Sequence, residues 1–148
     1  MLIDMSNIKE IALLLSRVLL GVILIAHGWD KFQITGLEGI SGYFDSIGIP
    51  AASVAAPVVA LIEIIGGALL ILGLFTPIVG IVITLVMAGA AIFAHLPYGI
   101  FVGNGGWELV GAIAAGTIAL AALGAGRYSM DTLISARRSS TQQEATFA

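Results

Sequence analysis

Four runs of apolar, nearly uncharged residues, 11–29, 54–74, 78–96 and 107–123, constrain this chain more than any other feature. A helix needs about 20 such residues to cross the roughly 30 Å of bilayer hydrocarbon, and each run meets or approaches that length. Composition agrees. Of 148 residues, 59% are hydrophobic and 10% charged, against about a quarter charged in soluble domains. The expected fold class is all-α: an integral membrane four-helix bundle, formed by one domain over residues 1–136.

The breaks between runs have local causes. Asp30-Lys31 and the polar stretch after it close the first run. Thr76-Pro77 separates the second and third, because proline lacks an N–H and biases its predecessor away from helix. Pro57 falls in the first turn of the second run, where proline is tolerated. Arg17 interrupts the first run and no small-x-small cleavage signal follows it, so the run predicts a retained helix rather than a signal peptide. In the connection 30–53, Thr35-x-x-Glu38 matches a capping box. Leu37, Ile40, Phe44 and Ile47 then recur at helical spacing until Gly48 and Pro50, which predicts a short amphipathic helix at the interface; an ordinary surface loop is the alternative. The Ser/Thr/Gln-rich tail, 137–148, predicts disorder.

Lys9, Arg127, Arg137 and Arg138 flank the termini, whereas 30–53 holds Lys31 alone and 97–106 holds neither Lys nor Arg. The positive-inside bias therefore places both termini in the cytoplasm and those two connections outside. The net charge of −3 argues against a nucleic-acid partner. There is no cysteine, which removes disulfides, thiolate metal sites and any thiol relay carried by this chain.

Arg17 and Glu63 lie inside spans, where a charge faces a partner or a function. Their predicted depths differ by about 7–8 Å, within reach of an arginine stem, so an Arg17–Glu63 ion pair is expected. Its purely structural reading is that it docks the first two spans. Small residues in line with them, Gly21 and Gly28 on the first span and Gly66-Gly67 on the second, allow close helix approach. On the fourth span Glu108, Gly111, Ala112, Ala115 and Ala119 suggest the same, and would turn both Glu63 and Glu108 toward protein.

A second polar group gathers at the outer end: His27, Trp29, Asp30, Lys31, His95, Asn104, Trp107 and Glu108. Tryptophans there serve as interfacial belt residues, and Glu108 suits a helix N-terminus. Three readings of His27 and His95 stay open: interface hydrogen bonding, hydrogen-bonding or acid/base groups of a ligand pocket, or ligation of a metal or haem. No motif specifies the last, and no metal ligand set is predicted. Ala26-His27 and Ala94-His95, with Glu63-x-x-Gly66 and Glu108-x-x-Gly111, form a faint parallel repeat. The segment 94–109, uncharged between His95 and Glu108, is expected to fold as a lid over both residues, near Glu63.

Arg17-Val-Leu-Leu-Gly21, Ala26-His-Gly-Trp-Asp-Lys31, Glu63-Ile-Ile-Gly-Gly67, His95-Leu-Pro-Tyr-Gly-Ile-Phe101 and Gly105-Gly-Trp-Glu108 together resemble the DoxX family of small four-span membrane proteins. The resemblance covers about residues 14–133. It implies a bundle in the cytoplasmic membrane associated with membrane redox complexes and with thiol, quinone or oxidative stress, but no established mechanism. The function expected is a redox-complex component binding a small hydrophobic, quinone-like ligand. Glu63, Glu108, His95 and His27 would be its proton-transfer or hydrogen-bonding groups, with Arg17, Trp29, Trp107, Asn104 and Tyr98 around the ligand. No nicotinamide or flavin fingerprint is present, so a quinone is the cofactor class considered and a partner redox protein would supply electrons. The alternatives are a non-catalytic scaffold and a small proton- or cation-coupled transporter. The small-residue stripes serve a homo-oligomer equally well.

Overall fold

A computed structural model describes residues 5–146; residues 1–4 and the last two of the tail lie outside it. The described residues are all-helical, with no strand among them. Helix α1 (Met5–Trp29) continues as a π-helical turn (Asp30–Ile34), and α2 (Leu37–Ser46) and α3 (Ala52–Leu72) follow. Helix α4 (Thr76–Ala90) also ends in a π-helical turn (Ala91–His95), and then come α5 (Glu108–Leu123) and α6 (Met130–Thr146). Among the described residues, three stretches are long and apolar enough to cross a membrane: Met5–Ile34, Ala52–Leu72 and Thr76–Tyr98. The apolar α5 is shorter, about 24 Å at 1.5 Å per residue.

Helices α1, α3, α4 and α5 pack in a ring, α1 on α3, α3 on α4, α4 on α5 and α5 on α1, with α2 laid against α3. The membrane bundle expected from the apolar runs is the observed fold. Its core is Leu24, Leu70, Ile83, Met87, Ile113 and Leu120 with their neighbours. On α1 the buried residues are Leu13, Arg17, Gly21, Leu24 and Gly28, the face its periodicity predicts. The closest approach is glycine on glycine. A Cβ on Gly67 would lie 2.6 Å from the Gly21 carbonyl oxygen, and one on Gly21 would meet the Gly67 carbonyl as closely. Between α4 and α5 a Cβ on Gly80 would fall 2.6 Å from the Thr117 carbonyl oxygen. There Thr84 and Thr117 join hydroxyls at 2.8 Å.

The face expected for α5 is corrected. Its buried residues are Val110, Ile113, Thr117 and Leu120, while Ala112, Ala115 and Ala119 are exposed. Val110, Ile113, Thr117 and Leu120, not the alanine stripe, make the buried face. The Thr35–Glu38 capping box also does not form: Thr35 donates to Asp30 Oδ2 at 3.0 Å, and α2 starts from Gly36 without a side-chain cap. Helix α3 begins at Ala52, so Pro57 sits two residues deeper than expected. Helix α6 carries the tail, for which disorder was expected from residue 137, on to Thr146; its Arg, Gln, Glu and Ala residues are good helix formers.

Arg17 is completely buried, and its partner is not Glu63. Nη1 donates to the Leu70 and Ile71 carbonyls at 3.2 and 3.3 Å, and Nη2 to the Tyr128 carbonyl at 2.5 Å. The last carbonyls of a helix are orphan acceptors carrying the negative end of its dipole. A guanidinium fork can serve several at once, and the end of α3 lies closer to Arg17 than the middle does. Next to it the chain turns sharply, with Gly73 (φ 67) and Phe75 (φ 53) both left-handed. Asp131 braces this turn, accepting the Phe75 and Thr76 N–H groups at 2.8 and 3.1 Å. Arg17→Met should therefore destabilise the bundle by about 2–4 kcal/mol, the scale of lost charged hydrogen bonds, as read by unfolding in mixed micelles. Arg17→Lys should recover part of that loss.

Candidate functional site

The site begins with the spacing of α1 and α3. A Cβ on Gly28 would overlap Ile64 and the Ala60 carbonyl and touch the Glu63 side chain, so the end of α1 lies directly on the face of α3 that carries Glu63. One turn further on, Lys31 reaches across. Its Nζ stands 2.7 Å from Glu63 Oε2, with the side chains 17% and 6% exposed, and it also donates to the His27 carbonyl at 3.4 Å. The ion pair expected for Glu63 is thus made with Lys31 rather than with Arg17. A buried carboxylate in an apolar bundle needs a hydrogen-bonded cation, and the lysine on the π-helical turn meets that need.

A cavity of about 420 Å³ opens beside the pair. Its walls are largely apolar: Leu24 from α1, Ile40 and Phe44 from α2, Val59 from α3, Met87 and Phe93 from α4 and its π turn, Val110 and Ile113 from α5. The polar side chains in the lining are His27, Lys31, Glu63, His95 and Tyr43. Three of the four residues expected as proton-transfer groups therefore share one chamber. The fourth, Glu108, lies outside the lining among the described residues. Its Oε1 accepts the Val102 N–H at 2.7 Å.

The segment between His95 and Glu108 is a compact loop fastened to itself. Trp107 N–H donates to the Gly99 carbonyl, Glu108 N–H to Ile100 and Gly106 N–H to Phe101, and His95 Nδ1 is 2.7 Å from the Gly105 carbonyl oxygen. Gly106 is required there, since a Cβ would overlap the backbone of Gly99 and Ile100. Val102 and Gly106 line the cavity, so the loop does cover one side of it. The two titratable residues at its ends serve as its clasps, Glu108 from the start of α5 and His95 from the end of α4.

The remaining ligand-contact candidates lie elsewhere. Arg17 is at the opposite end of the bundle. Trp29, Tyr98 and Trp107 are 55%, 60% and 37% exposed and Asn104 is exposed; none of the four is in the cavity lining among the described residues. The tryptophans suit an interfacial belt. Among the described residues no group of three or more His, Cys, Asp or Glu forms a metal-ligand set. Sequence reasoning placed Lys31 in the outer polar group but not among the site residues; the signal available was a lone basic residue one turn beyond His27.

The chain is similar to known proteins. A family model described as DoxX matches residues 12–96. The Bacillus subtilis protein named "Putative oxidoreductase CatD" is 47% identical over 62% of this chain and 66% of its own length, so the chain spans just under two thirds of that relative. "Uncharacterized membrane protein Rv3486" of Mycobacterium tuberculosis is 33% identical over 82% of this chain and 80% of its own. "Inner membrane protein YqjF" of Escherichia coli is 28% identical over 88% and 97%. No solved structure matches.

The geometry makes a prediction about Lys31. Lys31→Met strands the Glu63 carboxylate in an apolar site and should cost about 3–5 kcal/mol. Adding Glu63→Gln should return most of that loss, giving a strongly non-additive cycle in micellar unfolding. Additive effects would show that the two charges do not depend on each other.

Proposed function

Because the chain belongs to the DoxX family, we propose that it acts in the cytoplasmic membrane as a redox-associated component that binds a small, quinone-like molecule in the outer-end cavity. The observation carrying this reading is the cavity itself. At about 420 Å³ it falls within the range of small-molecule sites, and like them it is apolar with a few converging polar groups. His27, Glu63, Lys31 and His95 would hydrogen-bond the ligand and exchange protons with it, while electrons pass to or from a partner protein. A relative named as an oxidoreductase supports the redox context.

The proposed arrangement has four spans, α1, α3, α4 and α5, with both termini cytoplasmic. Lys9, Arg127, Arg137 and Arg138 lie toward the terminal side, and the one lysine of the outer connections is turned inward to Glu63. The cavity then opens near the outer leaflet, where a lipophilic molecule partitions.

The test is extraction. Protein purified in mild detergent should carry a lipophilic ring compound, absorbing in the near ultraviolet, at a level well above detergent-extracted membranes lacking the protein. Lys31→Met/Glu63→Gln, which removes the polar pair without stranding a charge, should lower its retention by about tenfold, the scale of one lost buried hydrogen bond. A wild-type extract without any such compound would overturn this reading and favour a scaffold whose polar residues only lock the helices.

A further inference from the structure

Resting on that reading of the cavity, we infer that the site takes its ligand as a hydroxylated ring, a phenol or hydroquinone, whose O–H donates to His95 Nε2, rather than as the oxidised quinone. The loop clasp dictates this. His95 Nδ1 lies 2.7 Å from the Gly105 carbonyl oxygen. A carbonyl only accepts, so Nδ1 must carry the hydrogen. In the neutral imidazole that leaves Nε2, on the other side of the ring, as a lone-pair acceptor. His95 lines the cavity, so in the neutral form the nitrogen it has left to offer a ligand is an acceptor.

The rest of the polar inventory points the same way. Glu63 gives Oε2 to Lys31, and its Oε1 is a second acceptor. Lys31 is the opposing donor, but two of its hydrogens go to Glu63 and to the His27 carbonyl. His27 lines the exposed part of the cavity and can present either ring nitrogen. A hydroxylated ring finds acceptors at His95 and Glu63. A quinone, which has acceptors only, sets its carbonyls against those same groups and, among the lining side chains, finds donors at Lys31, His27 and Tyr43. A buried acceptor left facing an acceptor loses its hydrogen bond outright, and sites built around a ligand O–H reject analogues lacking it far more strongly than apolar pockets reject a change of size.

Two redox-inert probes of nearly equal shape separate these cases: 4-hexylphenol, which donates, and 4-hexylanisole, which only accepts. Binding is measured by equilibrium dialysis against the full chain in phosphatidylcholine nanodiscs, with partition into empty discs subtracted. The expected result is that the phenol binds at least about tenfold more tightly than the ether, and that His95→Phe, which keeps the ring and removes the acceptor, brings the ratio close to one. Saturable binding of both probes with equal affinity keeps the cavity as a ligand site and overturns the donor preference. Phenol selectivity that survives His95→Phe, with thermal unfolding unchanged, overturns the assignment to His95. Saturable binding of neither probe overturns the inference together with the ligand-binding reading beneath it. If His95→Phe does not fold, the wild-type ratio still decides the donor preference.

Discussion

Helix α1 meets α3 with no side chain between Gly21 and Gly67, and the cavity end of the molecule depends on that approach. Contact at this distance lets two apolar helices associate through packing alone, without a hydrophobic drive in lipid. It also fixes where everything further along α1 can reach. Gly28 continues the same seam and sets α1 against the turn of α3 that carries Glu63. Without that seam, Lys31 could not meet a carboxylate one helix away, and Glu63 would be an isolated charge in hydrocarbon.

The two buried charges of the first pair of helices are accommodated in opposite ways. Arg17 is held by backbone: its Nη groups reach three carbonyls around the end of α3 and the start of the last segment, while its buried Nε has no partner among the described residues. Every partner it has is structural, and Asp131 completes that end by capping the strained turn into α4. Glu63 is satisfied by one side chain and faces a cavity. One end of the bundle is therefore closed and cross-braced, whereas the other keeps polar groups in reach of a guest.

How much of this the sequence revealed varies from helix to helix, for physical reasons. On α1 a charge and two glycines, Arg17, Gly21 and Gly28, stand out against larger apolar residues of the run, so the 3.6-residue period identifies the buried face. On α5 nearly every residue is small or apolar, the period carries no contrast, and the alanine stripe points to the wrong side. Residue identity showed that Glu63 needs a cation, but choosing between Arg17 and Lys31 required distances between helices, which one sequence does not contain. His27, Glu63 and His95 were legible as a group because polar residues at the outer ends of apolar runs are few. Glu108 was legible as important, yet its use, holding the Val102 N–H, depends on a loop path that local patterns do not specify. Thr35 shows the same limit: Asp30 competes for its hydroxyl and the expected capping box is lost.

The π-helical turn at the end of α4 contains one residue more than an α-helix would use over the same rise. Leu96 N–H bonds back five residues to the Ala91 carbonyl, and the slower rotation lets three consecutive residues, Phe93, Ala94 and His95, all line the cavity. Chain length at this point is therefore itself a constraint. A homologue shortened by one residue between 91 and 94 would have the more regular helix and an equally apolar span, and hydropathy would not distinguish the two. Its histidine, however, would be turned by about 100°, away from the chamber and from the Gly105 carbonyl that sets its tautomer.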